Sequence, residues 1–178
     1  MIDCLAARPT PKHHSTSPHS AILELAPEKV FDDLAWLATQ ICCTPIALIT
    51  LDDEPHHQVK STVGLSVAEA AGEFLFHPHV LAHRSLFLVT DATKDERFAS
   101  HSQVASQGGI RFFAGLPLTT RKGTLLGVLS VLDRVPRQLS PEQSYGLEIL
   151  ARQVATHLEQ RALFDRTRKN DVDDHEAR

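Results

Sequence analysis

The sequence predicts an α+β domain organised around a covered β-sheet, and three observations point to it. Residues Ile110–Asp133 (IRFFAGLPLTTRKGTLLGVLSVLD) hold two apolar runs, Ile110–Leu118 and Thr124–Leu132, split by Thr119-Thr120-Arg121-Lys122-Gly123. Charge and a glycine between two β-prone runs mark a hairpin. The second run, LLGVLSVL, is too uniformly apolar for a strand with one wet face, so it belongs at the centre of a sheet covered on both sides. Helical periodicity then brackets the strands at both ends of the chain.

Residues 1–24 read as a flexible leader: the first 20 (MIDCLAARPTPKHHSTSPHS) are rich in Pro, Ser and His and lack an apolar period. His13, His14 and His19 are metal-capable, but a solvated polar tail is the far better account of them. Pro27 opens the first predicted helix, which runs to Ile41 with Val30, Phe31, Leu34, Leu37, Ala38 and Ile41 on one stripe. Asp32 and Asp33 lie near its start, where the helix dipole favours negative charge, and Thr44-Pro45 ends it. Cys42 and Cys43 fall in the last turn with no cation beside them to lower a thiol pKa, so they read as small packing residues.

Ile46–Leu51 is a predicted strand, Asp52-Asp53-Glu54-Pro55 a turn, and His57–Val63 a second strand with polar alternation. Ser66 to about His83 reads as helix and loop over one face of the sheet. Leu86–Thr90 is a third strand, Asp91–Phe98 a polar turn, and Ala99–Gly109 a Ser/Gln/Gly-rich loop leading into the hairpin. Ser140-Pro141-Glu142-Gln143 is a strong helix start, with Ser as N-cap, Pro at the first helical position and Gln closing a capping box. Leu147, Leu150, Val154 and Leu158 carry that helix to about Phe164, and the charged stretch 165–178 is expected to fray. The domain proper is thus predicted over residues 25–164.

Composition narrows the class. The 178 residues fit one domain, and 42% apolar with 22% charged residues is ordinary for a globular chain. A net charge of -4 without a Lys/Arg stripe argues against nucleic-acid binding. No apolar run approaches the ~18–20 residues of a membrane span. A secretory signal is not apparent, and three cysteines make no disulfide framework, so a cytoplasmic location is expected.

Four local motifs then carry a family resemblance. They are Pro45-Ile46-Ala47-Leu48-Ile49; Asp91 with Asp95-x-Arg97-Phe98; Ile110-Arg111-Phe112-Phe113-Ala114-Gly115-x-Pro117-Leu118; and Gly127-x-Leu129-x-Val131-x-Asp133 followed by Pro136-Arg137-x-Leu139-Ser140. With the order of elements, they resemble the GAF domain, a relative of the PAS fold, and in particular GAF domains ahead of bacterial sensor histidine kinases and cyclic-dinucleotide enzymes. The resemblance implies an antiparallel sheet of five or six strands, with the N- and C-terminal helices packed on one face. On the other face a pocket would be roofed by the Ser66–Gly109 insert. It also implies a non-catalytic sensory module in signal transduction that binds a small molecule, or dimerises and relays a conformational signal.

Departures from the family pattern prune the ligand classes. Where many relatives carry Phe-Cys-x-His, this chain has Phe76-His77-Pro78-His79, and the insert contains no cysteine, so no covalently bound bilin is expected. The cyclic-nucleotide signature is missing, and Lys94-Asp95-Glu96 only echoes it. Cys42 and Cys43 are expected on the helical face, away from any pocket, which argues against methionine-sulfoxide reduction.

The candidate pocket residues are Phe76, His77, His79, Asp91, Arg97, Arg111 and Phe113. Asp91, Asp95, Arg97 and Arg111 are expected to form an ion-pair cluster pinning the insert to the hairpin; alternatively, one Arg is free to clamp a ligand anion. His77, His79 and His83 are either half-buried histidines satisfied by backbone, or ligands of a haem or transition metal, since His79 and His83 share i,i+4 spacing. Phe74, Phe76, Phe112 and Phe113 would wall a cavity or fill a core. A small enzyme using His77, His79 and Arg111 is the alternative function. Ser130 lies in a buried strand with no Gly-x-Ser-x-Gly elbow, and Gly108-Gly109 precedes a strand, so neither a hydrolase nor a phosphate loop is indicated. The seam of the exit helix follows three-four spacing. A homodimer through Pro27–Ile41 and Glu142–Phe164 is therefore expected, with the output on a separate signalling kinase or cyclase.

Overall fold

The computed structural model describes residues 18–53, 56–70 and 74–176, with side chains described over 29–52, 58–66, 69–70 and 75–161. Helix α1 (Pro18–Cys42) leads into β1 (Ile46–Asp53) and β2 (His56–Val63). The insert follows, with α2 (Val67–Ala70), a 3-10 turn (Phe74–Phe76), α3 (His77–His83), β3 (Phe87–Val89), a second 3-10 turn (Ala92–Lys94) and α4 (Ser102–Ala105). The hairpin β4 (Phe112–Thr119) and β5 (Leu125–Asp133) then leads to the exit helix α5 (Pro141–Glu176).

The five strands form one sheet in the order β2-β1-β5-β4-β3, every neighbouring pair antiparallel. The uniformly apolar β5 is the central strand, as its composition demands, and it is buried from Gly127 to Asp133. Period-two alternation splits the sheet into two cores. Ala47, Ile49, Phe112, Ala114, Leu116, Leu129 and Val131 face α1 and α5. Ile46, Leu48, Phe113, Val128 and Leu132 face the insert, where Phe76, Val80, Phe98, Val104 and Ile110 cover them. Phe112 and Phe113 therefore belong to different cores.

Two glycines are set by close approach. A Cβ on Gly127 would fall 1.9 Å from the Thr50 carbonyl oxygen of β1, and one on Gly115 would fall 2.7 Å from the Phe113 ring and 2.9 Å from Val80 Cγ2. The hairpin turn is closed by Gly123 N–H to Thr120 O (2.9 Å) and Thr124 N–H to Thr120 Oγ1 (2.9 Å), with Gly123 at φ 82. The start of α5 is the predicted capping box: Ser140 N–H donates to Gln143 Oε1 (2.9 Å) and Gln143 N–H to Ser140 Oγ (3.2 Å).

Both long helices exceed their predicted limits. Helix α1 begins at Pro18 and carries Pro27 in its interior, so Pro27 does not open it. The reason is propensity: Ala21-Ile22-Leu23-Glu24-Leu25-Ala26 are nearly all strong helix formers, which offsets the lost hydrogen bond at the proline. Helix α5 passes Phe164 and continues through the charged stretch to Glu176, because no Gly or Pro follows to stop it. A short helix, α4, also lies in the loop expected over Ala99–Gly109. Residues 1–17, with Cys4, His13 and His14, and turn residues 54 and 55 lie outside the described residues. No helix among the described residues is long and apolar enough to cross a membrane.

Candidate functional site

The insert-facing core is built outward from β4. Phe113 points away from the helices, and Gly115, two residues along the same face, leaves space for its ring. Phe76 stacks on Phe113 with centroids 4.4 Å apart and meets Phe98 at 4.6 Å, tilted. Phe87 completes the set edge-on to Phe98, at 6.3 Å. Phe76, Phe98, Val80 and Phe113 are each at most 2% exposed. The rings thus fill the volume beneath the insert by contact with one another, a geometry worth about 0.5–1.5 kcal/mol per pair beyond burial.

His77, first residue of α3, is buried over the middle of the sheet. Its Nδ1 lies 3.4 Å from Thr50 Oγ1, and that hydroxyl donates to the Val128 carbonyl at 3.3 Å. His79 stacks on Phe87 (5.8 Å) and meets Phe98 edge-on (4.9 Å), while His83 meets Phe87 at 5.9 Å. The i,i+4 spacing does put His79 and His83 on one helix face, and that face packs on the Phe87 ring. Among the described residues no group of three or more His, Cys, Asp or Glu is placed to hold a metal ion.

Arg97 seals the outer rim of the aromatic set. It grips Asp95 with both ends of its fork (Nε–Oδ1 2.9 Å, Nη2–Oδ2 2.6 Å), and its guanidinium lies 5.1 Å and 5.0 Å from the Phe87 and Phe98 centroids. The hydrogen bond from Arg97 holds the Asp95 carboxyl below the usual carboxylate range, and Asp95 in turn raises Arg97. Asp91 caps the 3-10 turn through Thr93 N–H (3.1 Å), accepts from Thr93 Oγ1 (2.6 Å) and pairs with Lys94 (3.0 Å). Those bonds, the Thr93 hydroxyl first, lower its pKa.

Arg111 is held differently from expectation. Its Nη1 donates to the carbonyls of Val104 (2.6 Å) and Ile110 (3.3 Å), and its Nη2 to Ser106 (3.2 Å). It pairs with neither Asp91 nor Asp95, so the expected four-residue ion cluster resolves into three separate units. The cause is local: each aspartate satisfies its own turn within three residues, leaving open carbonyls around α4 as the acceptors within reach of Arg111. The guanidinium still pins the insert to the hairpin, and its backbone helps, with Arg111 N–H to Asp133 O (2.9 Å) and Ala92 N–H to Arg111 O (2.7 Å). Asp133, buried at the end of β5, pairs with Arg137 and accepts from Val135 N–H (3.1 Å).

Of the seven candidate residues, Phe76, His79, Arg97 and Phe113 lie in or against one aromatic layer, while His77 contacts Thr50 of β1. Asp91 and Arg111 lie at the layer's edge, and the link between their segments is Ala92 N–H donating to the Arg111 carbonyl rather than a side-chain contact. Cys42 belongs to the opposite, helical core, where burial pushes its thiol up to about 12. That helical side also holds a cleft of about 250 Å³ between β4, the α3–β3 junction and α5, lined in part by Arg84, Ser85, Glu148 and Arg152. Sequence reasoning missed these four. The available signal was Arg84, a bulky residue directly after the last turn of α3, where glycine usually stands.

Comparison with known proteins agrees with this architecture. A family model described as GAF domain matches residues 26–158. The chain is 35% identical over 138 residues to a cyclic di-GMP phosphodiesterase of Pseudomonas aeruginosa, a match covering 77% of this chain and 24% of that protein. The chain therefore spans about a quarter of the curated relative's length. Among solved structures, the GAF domain region of a protein from Geobacter sulfurreducens superposes with a TM-score of 0.63 at 27% identity, covering 80% of this chain and 99% of that one. A domain assigned to a two-component sensor histidine kinase protein of Sinorhizobium meliloti gives 0.61 at 20% identity, over 79% and 97%. The family match over three-quarters of its length, with the superposition on solved GAF domains, establishes that the chain belongs to the GAF domain family, whose members serve sensory and regulatory roles in signalling proteins.

Proposed function

We propose that this GAF domain is a non-catalytic regulatory module of bacterial-type signal transduction that acts as a homodimer and relays a conformational bias along α5. One observation carries the reading. Helices α1 and α5 turn one side to the sheet and to each other, with Ile41 of α1 seated against Gly146 of α5. The same two helices leave Leu37 (39% exposed), Tyr145 (60%) and Ile149 (38%) uncovered. Large apolar residues on an outer helical surface favour burial against a second copy, and the two helices of each protomer would complete a four-helix bundle.

A non-catalytic role is supported by the separate engagement of His77, His79 and Arg111 with Thr50, the aromatic rings and the α4 carbonyls. The output would lie on a kinase or cyclic-dinucleotide enzyme, in the cytoplasm. Light scattering at tens of micromolar tests the pairing: a dimer mass is expected, falling to monomer in Leu37→Glu/Ile149→Glu with helical circular dichroism retained. A monomeric wild type refutes it.

A further inference from the structure

The helical-side cleft is distinct from the aromatic layer beneath the insert, and its lining has the makings of a ligand site. Its floor is apolar: Leu116 of β4 and Ala151 and Ala155 of α5 are buried, with Leu86 and Pro117 beside them. Its lining also includes Arg84 from the end of α3 and Glu148 and Arg152 from α5. None of these three side chains has a hydrogen bond or salt bridge among the described residues. Ser85 and Thr119 complete its polar lining.

Arg84 supplies a second, independent observation. It caps α3 in the left-handed region (φ 58, ψ 13), its N–H bonded to Val80 O. Glycine takes that conformation freely, whereas a side chain there is strained. Non-glycine residues held in this region by the surrounding structure cluster at functional sites. Here the residue held in that conformation is an arginine that lines the cleft.

We propose that this cleft binds a small monocarboxylate with an apolar body, its carboxylate bridging Arg84 and Arg152 and its body lying on Leu116, Ala151 and Ala155. Two guanidiniums against the one carboxylate of Glu148 leave a single uncompensated positive charge, which suits a monoanion better than a phosphate dianion. The volume accommodates a ring or short chain and little more. Such a ligand would tie the insert to α5. That consequence rests on the reading of α5 as the output helix, but binding itself does not.

The test is an amide NMR titration with sodium benzoate as probe, repeated with inorganic phosphate. Benzoate is expected to shift Leu116, Ala151 and Ala155, and to bind about tenfold more weakly in Arg152→Gln, the loss of one charge-assisted contact. The exposed hairpin-tip variant Lys122→Gln should bind as the wild type does. Arg84→Gly separates ligand recognition from structure: it relieves the left-handed strain, so thermal stability should hold or rise while benzoate affinity drops about tenfold. Any of four results overturns the proposal: no benzoate binding at millimolar concentration, equal binding of phosphate, undiminished affinity in Arg84→Gly, or shifts confined to Val80, Phe98 and Phe113. None of them bears on dimer mass, so the pairing proposed above stands or falls separately.

Discussion

Replacing Arg111 with alanine discriminates sharply between the predicted ion cluster and the observed carbonyl anchor. The structure gives Arg111 one short bond to Val104 O at 2.6 Å in a half-buried setting, and two weaker ones to Ile110 O and Ser106 O at 3.3 and 3.2 Å. A hydrogen bond to a charged group contributes about 1.5–3 kcal/mol, and the two long bonds, one of them exposed, add little to it. The expected loss is therefore about 2–3 kcal/mol. For a domain of this size that lowers Tm by roughly 5–10 °C. Urea unfolding should show the midpoint moving with an unchanged slope. The decisive arm is a double-mutant cycle with Asp95→Asn. Because the Asp95 side chain bonds Arg97 and not Arg111, the two changes should add to within about 0.5 kcal/mol. A coupling above about 1 kcal/mol would place both in one network and refute the reasoning, as would an Arg111→Ala protein of unaltered stability.

Other consequences can be checked by the same means. Gly115→Ala sets a methyl 2.7 Å from the Phe113 ring and should cost about 1–3 kcal/mol through overpacking, measured by urea midpoint; a neutral result would mean the aromatic layer has slack. Ser140→Ala removes the N-cap of α5 and should cost about 0.5–2 kcal/mol, with Ser140→Asp recovering most of it in thermal melts. Asp95 and Asp91 have folded pKa values below their unfolded ones, so each stabilises the fold above the ordinary carboxylate range, and that contribution is lost as pH falls through the folded value. Carboxyl-carbon NMR should put both midpoints below about 3.9, with Asp95 moving up in Arg97→Gln; an unmoved Asp95 would contradict the assigned cause. Cys42 should resist thiol reagents in the native state at neutral pH, since its folded pKa is about 12, and should react only on unfolding.

The two-sided core clarifies how such a domain could carry a signal. β5 is covered on both faces, so its Val128 and Leu132 touch the insert while Leu129 and Val131 touch the helices. One strand therefore contacts both the insert and the helices. The hairpin tip adds a direct tie, as Arg121 N–H donates to Glu159 of α5 at 2.9 Å.

Much of this arrangement is legible from local chemistry. An unbroken apolar run such as LLGVLSVL can only sit at the middle of a covered sheet, and Ser140-Pro141-Glu142-Gln143 states its own helix start. Alternation along β1 and β4 names which residues share a face, because the pleat enforces period two whatever the surroundings. Partner choice is another matter. Arg111 prefers carbonyls seven and five residues back to the aspartates of the neighbouring turn, His79 meets a ring rather than a metal, and Arg84 and Arg152, 68 positions apart in sequence, converge on one cleft. Those outcomes depend on distances set when remote segments pack, and charge or spacing along a single chain carries no record of them. Sequence alone determined the sheet, its flanking helices and their faces; tertiary structure decided which polar groups were satisfied and which were left facing solvent.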